Sequence, residues 1–530
     1  MTSAQGSFAK VLSASLQGVD GFVVEVEVDL AAGLPHFAMV GLPDAAVRES
    51  RERVRAAVKN GDFEFPVRRI TVNLAPADVR KEGPRFDLPI ALGVLVASGQ
   101  VPAASLAGAA VLGELSLTGE CRAVHGVLPA ALAVRAAGCR RFLVPEGNAA
   151  EAAVVAGLEV WPVRTLAHAV ALLAGRETPG ALPRRGARRR ADRDAEGDFS
   201  DVGGQEHAKR ALEIAAAGGH NVLLIGPPGT GKTMLARRLP GILPPLTREE
   251  SLEITKIHSV AGRLPAGAGL LASRPFRAPH HTVSDVGLVG GGATPRVGEV
   301  SLAHLGVLFL DELPEFHRHV LEVLRQPIED GHVSIVRAGY SVDYPARFSL
   351  VAAMNPCPCG NLTHPTKSCR CTPPEVARYR SRISGPLLDR IDLHVEVPPV
   401  AWSRLALGSA TGPGAEPSRF IAARVAAARA RASRRLRGSR AHMNAQMTPR
   451  QVRAACRLDG PSEELLKAAV AQFGLSARGV DRALKVARTI ADLAFEDERT
   501  RADARVGDAD LRAEHVAEAL QYRALDRMEA

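Results

Sequence analysis

The chain has 530 residues, enough for about three or four domains at ~150 residues each. Hydrophobic residues make up 46% and charged residues 23%, a globular balance that excludes a wholly disordered chain. Its net charge of +10 favours polyanions such as nucleic acid, whereas no run approaches the ~18 uninterrupted apolar residues of a membrane span. The opening MTSAQGSFAK lacks the basic-then-apolar order of a secretory signal, so a cytoplasmic protein is expected.

Two composition breaks divide the chain. Residues 176–198 combine Pro, Gly and charge without apolar periodicity and read as a linker carrying Arg184, Arg185, Arg188, Arg189, Arg190 and Arg193. Residues 407–418 form a second break, short and rich in Gly, Ser and Pro.

Before the first break, Phe22 to Leu30 alternates apolar and acidic residues and predicts a half-buried strand. Asp44 to Lys59 has helical spacing and is closed by Asn60-Gly61. Ile70 to Leu74 predicts another strand, and Leu88 to Ala97 an apolar helix. Val111 to Leu173 then reads strand, helix, strand, helix, which implies α/β or α+β packing.

In the central block, Asn221 to Ile225 is a short apolar run of the kind found in buried parallel strands. It enters Gly226, Pro227, Pro228, Gly229, Thr230, Gly231, Lys232 and Thr233, after which MLARRL starts a helix. This is GxxxxGKT between a strand and a helix, the context in which backbone N–H groups and a helix N-terminus hold phosphate oxygens. Lys232 would reach the β- and γ-phosphates, and the Thr233 hydroxyl would bind Mg²⁺.

A second apolar run, Val307 to Leu310, ends in Asp311 and Glu312. At the carboxyl end of a neighbouring strand, Asp311 would hold Mg²⁺ through water and Glu312 would polarise the attacking water. A third strand, Phe348 to Ala353, ends at Met354-Asn355, where the Asn355 amide could position that water.

Cys357, Cys359, Cys369 and Cys371 crowd into fifteen positions. Four thiolates can close a structural Zn²⁺ site, with reduced loop thiols or a redox pair as alternatives. Cys121, Cys139 and Cys456 are isolated and read as core thiols.

Beyond the second break strand signals vanish. Segments 419–437, 448–457, 461–473, 478–495 and 508–522 predict a helical bundle. It opens with Arg429, Arg431, Arg434, Arg435, Arg437 and Arg440, either a DNA-phosphate surface or a solvated face. Aromatic residues are only 4%, so base stacking on single strands is not indicated.

The three strand endings resemble Walker A, Walker B and sensor 1 of AAA+ ATPases. Longer strings narrow the likeness: Asp201 to Gln205 (DVGGQ), Arg274 to Thr282 (RPFRAPHHT), Phe309 to Phe316 (FLDELPEF) and Gly385 to Asp392 (GPLLDRID) resemble magnesium-chelatase-like AAA+ proteins of the YifB/ComM type. The resemblance runs from about residue 5 to 523. It implies an α/β fold: a P-loop AAA+ module with a parallel sheet at 199–400, preceded by an α+β Lon-protease-like domain at 1–175 and followed, after linker 401–418, by a helical lid at 419–530. It also implies ATP and Mg²⁺ as cofactors, with Zn²⁺ as a further candidate at the cysteines.

A hexameric ring is implied too, with ATP between subunits, and Arg390 resembles the arginine that completes a neighbour's site. Arg478, at LSARG, resembles the sensor 2 arginine, with Arg482 one turn later as second choice. The stretch 276–292 resembles a helix insertion, and 332–347 a hairpin whose Arg337 would meet backbone phosphates in a pore. Lon-type peptidases need a Ser nucleophile and a Lys. Here Arg85-Phe86 follows the Gly-Pro that would precede the serine, and His125 to Pro129 contains no Lys, so proteolysis looks lost.

The function implied is an ATP-driven ring motor on DNA, branched or single-stranded, like ComM-type branch-migration helicases of recombination or natural transformation. The alternatives are a magnesium-chelatase ATPase subunit, which lacks the Lon-like tier, and a protein-remodelling AAA+ chaperone, whose aromatic-hydrophobic-Gly pore loop is not evident.

Overall fold

The computed structural model describes residues 8–182, 197–265, 267–292, 295–337, 340–400, 416–498 and 511–523. The six linker arginines from Arg184 to Arg193 lie outside these residues, as does most of the second break. The chain divides into two compact units. One comprises Met1–Ala187, Arg248–Leu271 and Val336–Tyr344, and the other comprises Arg188–Thr247, Ala272–Ile335 and Pro345–Ala530.

The first unit is built on a seven-stranded mixed sheet. Its strands are β1 (Phe8–Gln17), β2 (Asp20–Ala31), β3 (His36–Val40), β4 (Arg69–Ala75), β5 (Ala109–Val111), β8 (Arg141–Pro145) and β9 (Glu159–Val163), in the order β3-β4-β2-β1-β5-β8-β9. Glu114–Leu115 (β6) and Cys121–Arg122 (β7) form a small separate ribbon. Alternation in FVVEVEVDL does place Val24, Val26, Val28 and Leu30 inside. Sequence reading passed over β1, whose small and polar residues (FAKVLSASLQ) dilute the period even though Val11, Ser13 and Ala14 are fully buried.

The helix Ala45–Asn60 starts where Asp44 accepts a hydrogen bond from Val47 N, a side-chain cap on an otherwise unpaired N–H. The helix Asp87–Ala97 is buried on every side, as its uninterrupted apolar sequence requires. Asp87, fully buried at its first turn, is held by Arg53 Nε at 2.6 Å, by Ser50 and by Leu115 N at 3.2 Å. Val111 to Leu173 holds more than two strand–helix pairs, because β8, the short helix Ala149–Ala152 and β9 stand between the helices Val127–Ala136 and Leu166–Leu173.

The second unit is organised by a parallel five-stranded sheet. Its strands are β10 (Val222–Ile225), β11 (Phe276–Arg277), β14 (Val307–Leu310), β17 (Ser349–Met354) and β18 (Leu393–Glu396), in the order β11-β14-β17-β10-β18. Every residue of β10 and β14 is buried, as expected of parallel strands covered on both faces. One face packs with the helices Glu206–Gly218 and Lys232–Ile242 and with the C-terminal helices; the other packs against Leu313, Leu321, Tyr379, Ile383 and Leu387.

Gly290–Gly291 (β12) pairs with Arg296–Val297 (β13), and His332–Arg337 (β15) with Tyr340–Pro345 (β16). The turn of the second pair and the Arg337 side chain lie outside the described residues.

The predicted bundle consists of Ser418–Arg435, Pro449–Ala455, Gly460–Phe473, Ala477–Glu498 and Ala513–Gln521. Its leading arginines are partly consumed internally: Arg429 donates to Ala216 O, Arg431 to Asp492 O, and Arg435 pairs with the buried Asp492 at 2.5 Å. Arg434, Arg437 and Arg440 remain exposed. No helix among the described residues is long and apolar enough to cross a membrane.

Candidate nucleotide site

Parallel order brings the carboxyl ends of β10, β14 and β17 side by side, because β17 pairs with both neighbours in register. Residues separated by about 80 to 130 positions therefore meet at one edge of the sheet, where open α/β folds bind their ligands.

β10 runs into the loop Gly226 to Gly231 and then the helix Lys232–Ile242. Gly229 and Gly231 have φ of +79° and +89°, a region where side-chain-bearing residues are strained. A Cβ at either glycine would meet nothing within 4 Å, so the outer surface of the loop is open to a phosphate. Gly226 is needed for a different reason, since a Cβ there would lie 2.2 Å from Val397 O. Thr230 Oγ1 donates to Pro227 O at 3.0 Å and braces the turn.

Lys232 Nζ is buried beneath the loop. It donates to Gly226 O at 2.6 Å, to Pro227 O at 2.9 Å and to Asn355 Oδ1 at 3.4 Å. Burial pushes its amine below the ordinary lysine range, while Asp311 and Glu312 pull it back up. Thr233 Oγ1 donates to Asp311 Oδ2 at 2.8 Å, which puts two hard oxygens of the kind Mg²⁺ takes in contact.

Glu312 follows with φ of +53°, a left-handed conformation unusual for a side-chain-bearing residue. Its N–H donates to Asp311 Oδ1 at 3.0 Å, and its carboxylate is exposed. Sequence reading missed the partner of that carboxylate: His281 Nδ1 stands 3.6 Å from Glu312 Oε2. His281 reaches it because β11 lies beside β14, and the chain leaves β11 four residues before it. His281 also rests against His280 and the edge of Phe316.

The structure leaves the two arginine candidates apart from this cluster. Arg390 pairs with Glu329 at 2.5 Å and donates to Pro386 O at 2.5 Å; its Nε meets no acceptor among the described residues. Asp389 and Asp392 are taken by other groups, Asp389 by Arg482 at 2.9 Å and Asp392 by His220 at 2.9 Å. Arg478 is exposed at the start of the helix Ala477–Glu498, whereas Arg482, one turn on, is buried.

His220 was not legible from sequence. It sits before β10, fully buried, between Asp392 and Thr489 Oγ1 at 2.8 Å, and so ties the P-loop strand to a C-terminal helix.

The cysteines converge. Cys357, Cys359 and Cys369 have sulfur separations of 3.4 to 3.6 Å, and all four sulfurs lie within 4.8 Å of one another. Four ligands at ~2.3 Å from a tetrahedral zinc ion stand ~3.8 Å apart, so the donor set fits such an ion. It does not fit a disulfide, whose sulfurs stand at ~2.05 Å. Backbone N–H groups of Arg370 and Asn361 lower the Cys359 thiol to about 6, toward the thiolate that a metal requires.

His394 on β18 is held neutral, pushed down to about 3 by burial and by the nearby guanidinium groups of Arg523 and Arg482, against the pull of Asp392. The unfolded chain protonates this group near 6.5, so below that pH it binds a proton that the native state refuses. Stability should therefore fall as pH drops from about 6.5 toward 3. His394→Leu should flatten that slope in melting curves recorded across pH, and an unchanged slope would contradict the assignment.

Arg85, which follows Gly83-Pro84, is buried; its Nε and Nη1 meet no acceptor among the described residues, and burial lowers its guanidinium to about 10.

A parallel sheet, a glycine loop holding a buried lysine, and an acidic strand end touching the loop threonine define a P-loop nucleotide-hydrolase module. The family described as "Magnesium chelatase, subunit ChlI" matches residues 198–405. "Subunit ChlI of Mg-chelatase" matches 26–148, and the corresponding C-terminal family matches 415–523. The chain is 44% identical over 522 residues to an uncharacterized protein YifB of Salmonella typhimurium, covering 98% of each. It is 44% identical over 526 residues to the competence protein ComM of Haemophilus influenzae, again covering 98% of each. A magnesium-chelatase 38 kDa subunit of Rhodobacter capsulatus is 30% identical over 176 residues, which is 30% of this chain and 50% of that one. The chain belongs to the YifB/ComM family of magnesium-chelatase-like AAA+ proteins. Membership implies an ATPase that uses ATP and Mg²⁺ and works as an oligomer.

Proposed function

We propose that this protein is a ring-forming ATPase, and that its work is ATP-driven movement on DNA by a hexamer, of the branch-migration kind.

 The motor reading is this: adjoining copies form a ring, each copy grips one triphosphate, and the next copy completes the site. One observation carries it. Lys232, Thr233, Asp311 and Asn355 hydrogen-bond around one glycine loop, while Arg390 is occupied by Glu329 and Pro386 of its own chain. No contact between Arg390 and the loop is found among the described residues, so a second copy is the natural source of the missing guanidinium.

In this reading Lys232 and the loop N–H groups bind the phosphates, Thr233 and Asp311 hold Mg²⁺, and Glu312 takes a proton from the attacking water while Asn355 orients it. The metal, when bound, neutralises charge developing on the phosphate oxygens. Arg478 would sense the nucleotide from the C-terminal helices, with Arg482 better placed for packing through its pair with Asp389. The first unit serves as a tier without peptidase activity, since Arg85 occupies the serine's place.

The DNA part of the reading rests on the charge of +10 and on the printed name of the competence relative. Its test is ATP turnover with and without branched or single-stranded DNA. Stimulation of about tenfold or more, lost steeply as salt rises, is expected, because phosphate contacts release counterions. Turnover indifferent to every DNA at low salt would remove DNA as the substrate and leave the chelatase-type or protein-remodelling reading.

The cysteine cluster is proposed to hold one structural Zn²⁺ that braces the segment after Asn355. Elemental analysis should find about one zinc per chain. Cys369→Ser should lose most of it and lower the melting temperature, by about 2–4 °C per kcal/mol lost for a unit of this size. A metal-free protein as stable as the loaded one would contradict the assignment.

A further inference from the structure

From Arg434 to Arg457 the chain carries seven arginines and no Asp, Glu or Lys. One of them, Arg435, is spent inside the fold, on Asp492 at 2.5 Å and on Asn444 Oδ1 at 3.1 Å. Asn444 donates in turn to Asp492 and Thr489, and Lys485 Nζ donates to Ala445 O at 2.9 Å, so this segment is fastened to the helix Ala477–Glu498. Leu436, Ala441, Met447, Val452 and Ala455 join the apolar core. The other six arginines, Arg434, Arg437, Arg440, Arg450, Arg453 and Arg457, are exposed. Helical spacing explains the division on Pro449–Ala455: Val452 and Ala455 turn inward, and Arg450 and Arg453, also three apart, share the opposite face. Arg434 and Arg437 repeat that spacing at the end of Ser418–Arg435, where Arg437 N donates to Arg434 O and prolongs the turn.

An ordinary solvated face mixes charges of both signs. Elsewhere in this unit it does: Arg210 meets Glu518 at 2.9 Å, Arg382 meets Glu315 at 2.9 Å, and Arg424 meets Glu213 at 2.6 Å. None of the six arginines makes an ion pair among the described residues. Their mutual repulsion is unrelieved within these residues, and a polyanion laid across them would relieve it. The chemistry of the surface narrows the polyanion. No large apolar side chain is exposed between 434 and 457, so nothing there would enter a lipid layer. No Phe, Tyr or Trp is present to stack on unpaired bases. Arginine without lysine suits paired contacts to phosphate oxygens.

We infer that these six arginines form a contact surface for the phosphate backbone of duplex DNA, carried by the C-terminal helical region. The inference rests on the reading of this protein as a motor on DNA and names a surface by which it would hold the polymer. Duplex is the form that fits, because it presents a phosphate charge about every 1.7 Å along its axis and asks for no stacking group. Contacts to phosphate alone hold position without reading sequence, as a motor that travels along DNA requires. Each phosphate neutralised releases counterions, so each arginine engaged adds about 0.9 to the salt slope of binding.

The test is binding of a fluorescein-labelled duplex to the full chain, followed by anisotropy over a series of salt concentrations. Arg450→Gln combined with Arg453→Gln should weaken binding about tenfold and lower the slope of log affinity against log salt by about 2. Arg434→Gln with Arg437→Gln should do the same, and carries the test if the first pair does not fold. Lysine at 450 and 453 keeps the charge and should keep most of the slope. Arg55→Gln with Arg68→Gln removes equal charge from exposed positions of the first unit and should leave affinity within about twofold of the parent. A parent that binds duplex while both patch pairs match it in affinity and slope would overturn the surface and leave the motor reading standing. A parent that binds no duplex even at low salt would remove both. The surface also falls if the Arg55 and Arg68 pair weakens binding as much as the patch pairs. It falls too if polyglutamate or anionic vesicles compete as well as unlabelled duplex at equal charge.

Discussion

Glu312→Gln is expected to bind ATP as the parent does while turnover falls by about 10²- to 10⁴-fold, the range that a positioned general base contributes. The amide keeps the shape of the side chain and the left-handed backbone at φ +53°, but it cannot take a proton. Lys232→Ala should fail earlier, at binding. Its Nζ is buried under the loop, where desolvation disfavours its charge, and phosphate oxygens would add to the compensation that Asp311 and Glu312 provide. Equilibrium binding of a fluorescent ATP analogue beside steady-state turnover separates the two. A Lys232→Ala protein that hydrolyses ATP normally would remove the site altogether, whereas a Glu312→Gln protein with normal turnover would move only the base.

The second large effect concerns Arg390. Arg390→Ala should lower turnover by about 10³-fold or more, the worth of an arginine supplied to a phosphoryl-transfer site, with ATP affinity changed much less. A mixture of Arg390→Ala with Lys232→Ala should then regain activity that neither has alone. In mixed rings an intact loop from the first meets an intact arginine from the second. If the arginine worked within its own chain, or only held Glu329, mixing would restore nothing. In the proposed ring, Arg390 would have to leave Glu329, with which it pairs at 2.5 Å, to reach a neighbour.

The parts of this protein readable from its sequence are those decided by neighbours along the chain. VLLI before a glycine loop and a helix start, VLFL before Asp311-Glu312, and the helical periods after residue 418 each state a local conformation through periodicity and turn chemistry. β1 escaped because its buried residues are small or polar and leave no clear period. The four cysteines were visible as a cluster because only fifteen positions hold them, but their sulfur separations, which favour a metal over a disulfide, came from the fold.

His281, His220 and His394 carry no sequence signal, since a histidine has the same identity in a core, at a carboxylate or beside a cavity. The side-chain partners of His281 and His220 are Glu312, and Asp392 with Thr489, 31 to 269 positions away, and the strand of His394 bridges to Arg523 through its backbone. The same holds for Arg435, which sequence alone offers to DNA and which the fold spends on Asp492. Sequence by itself determined the chemistry on offer: a phosphate loop, an acidic strand end, a thiol cluster and a helical C-terminal region. Tertiary structure alone decided which charges are satisfied within the chain and which remain for a ligand or a second copy. The physical reason is that pairing and desolvation depend on distance in space, and the order of residues along the chain does not record it.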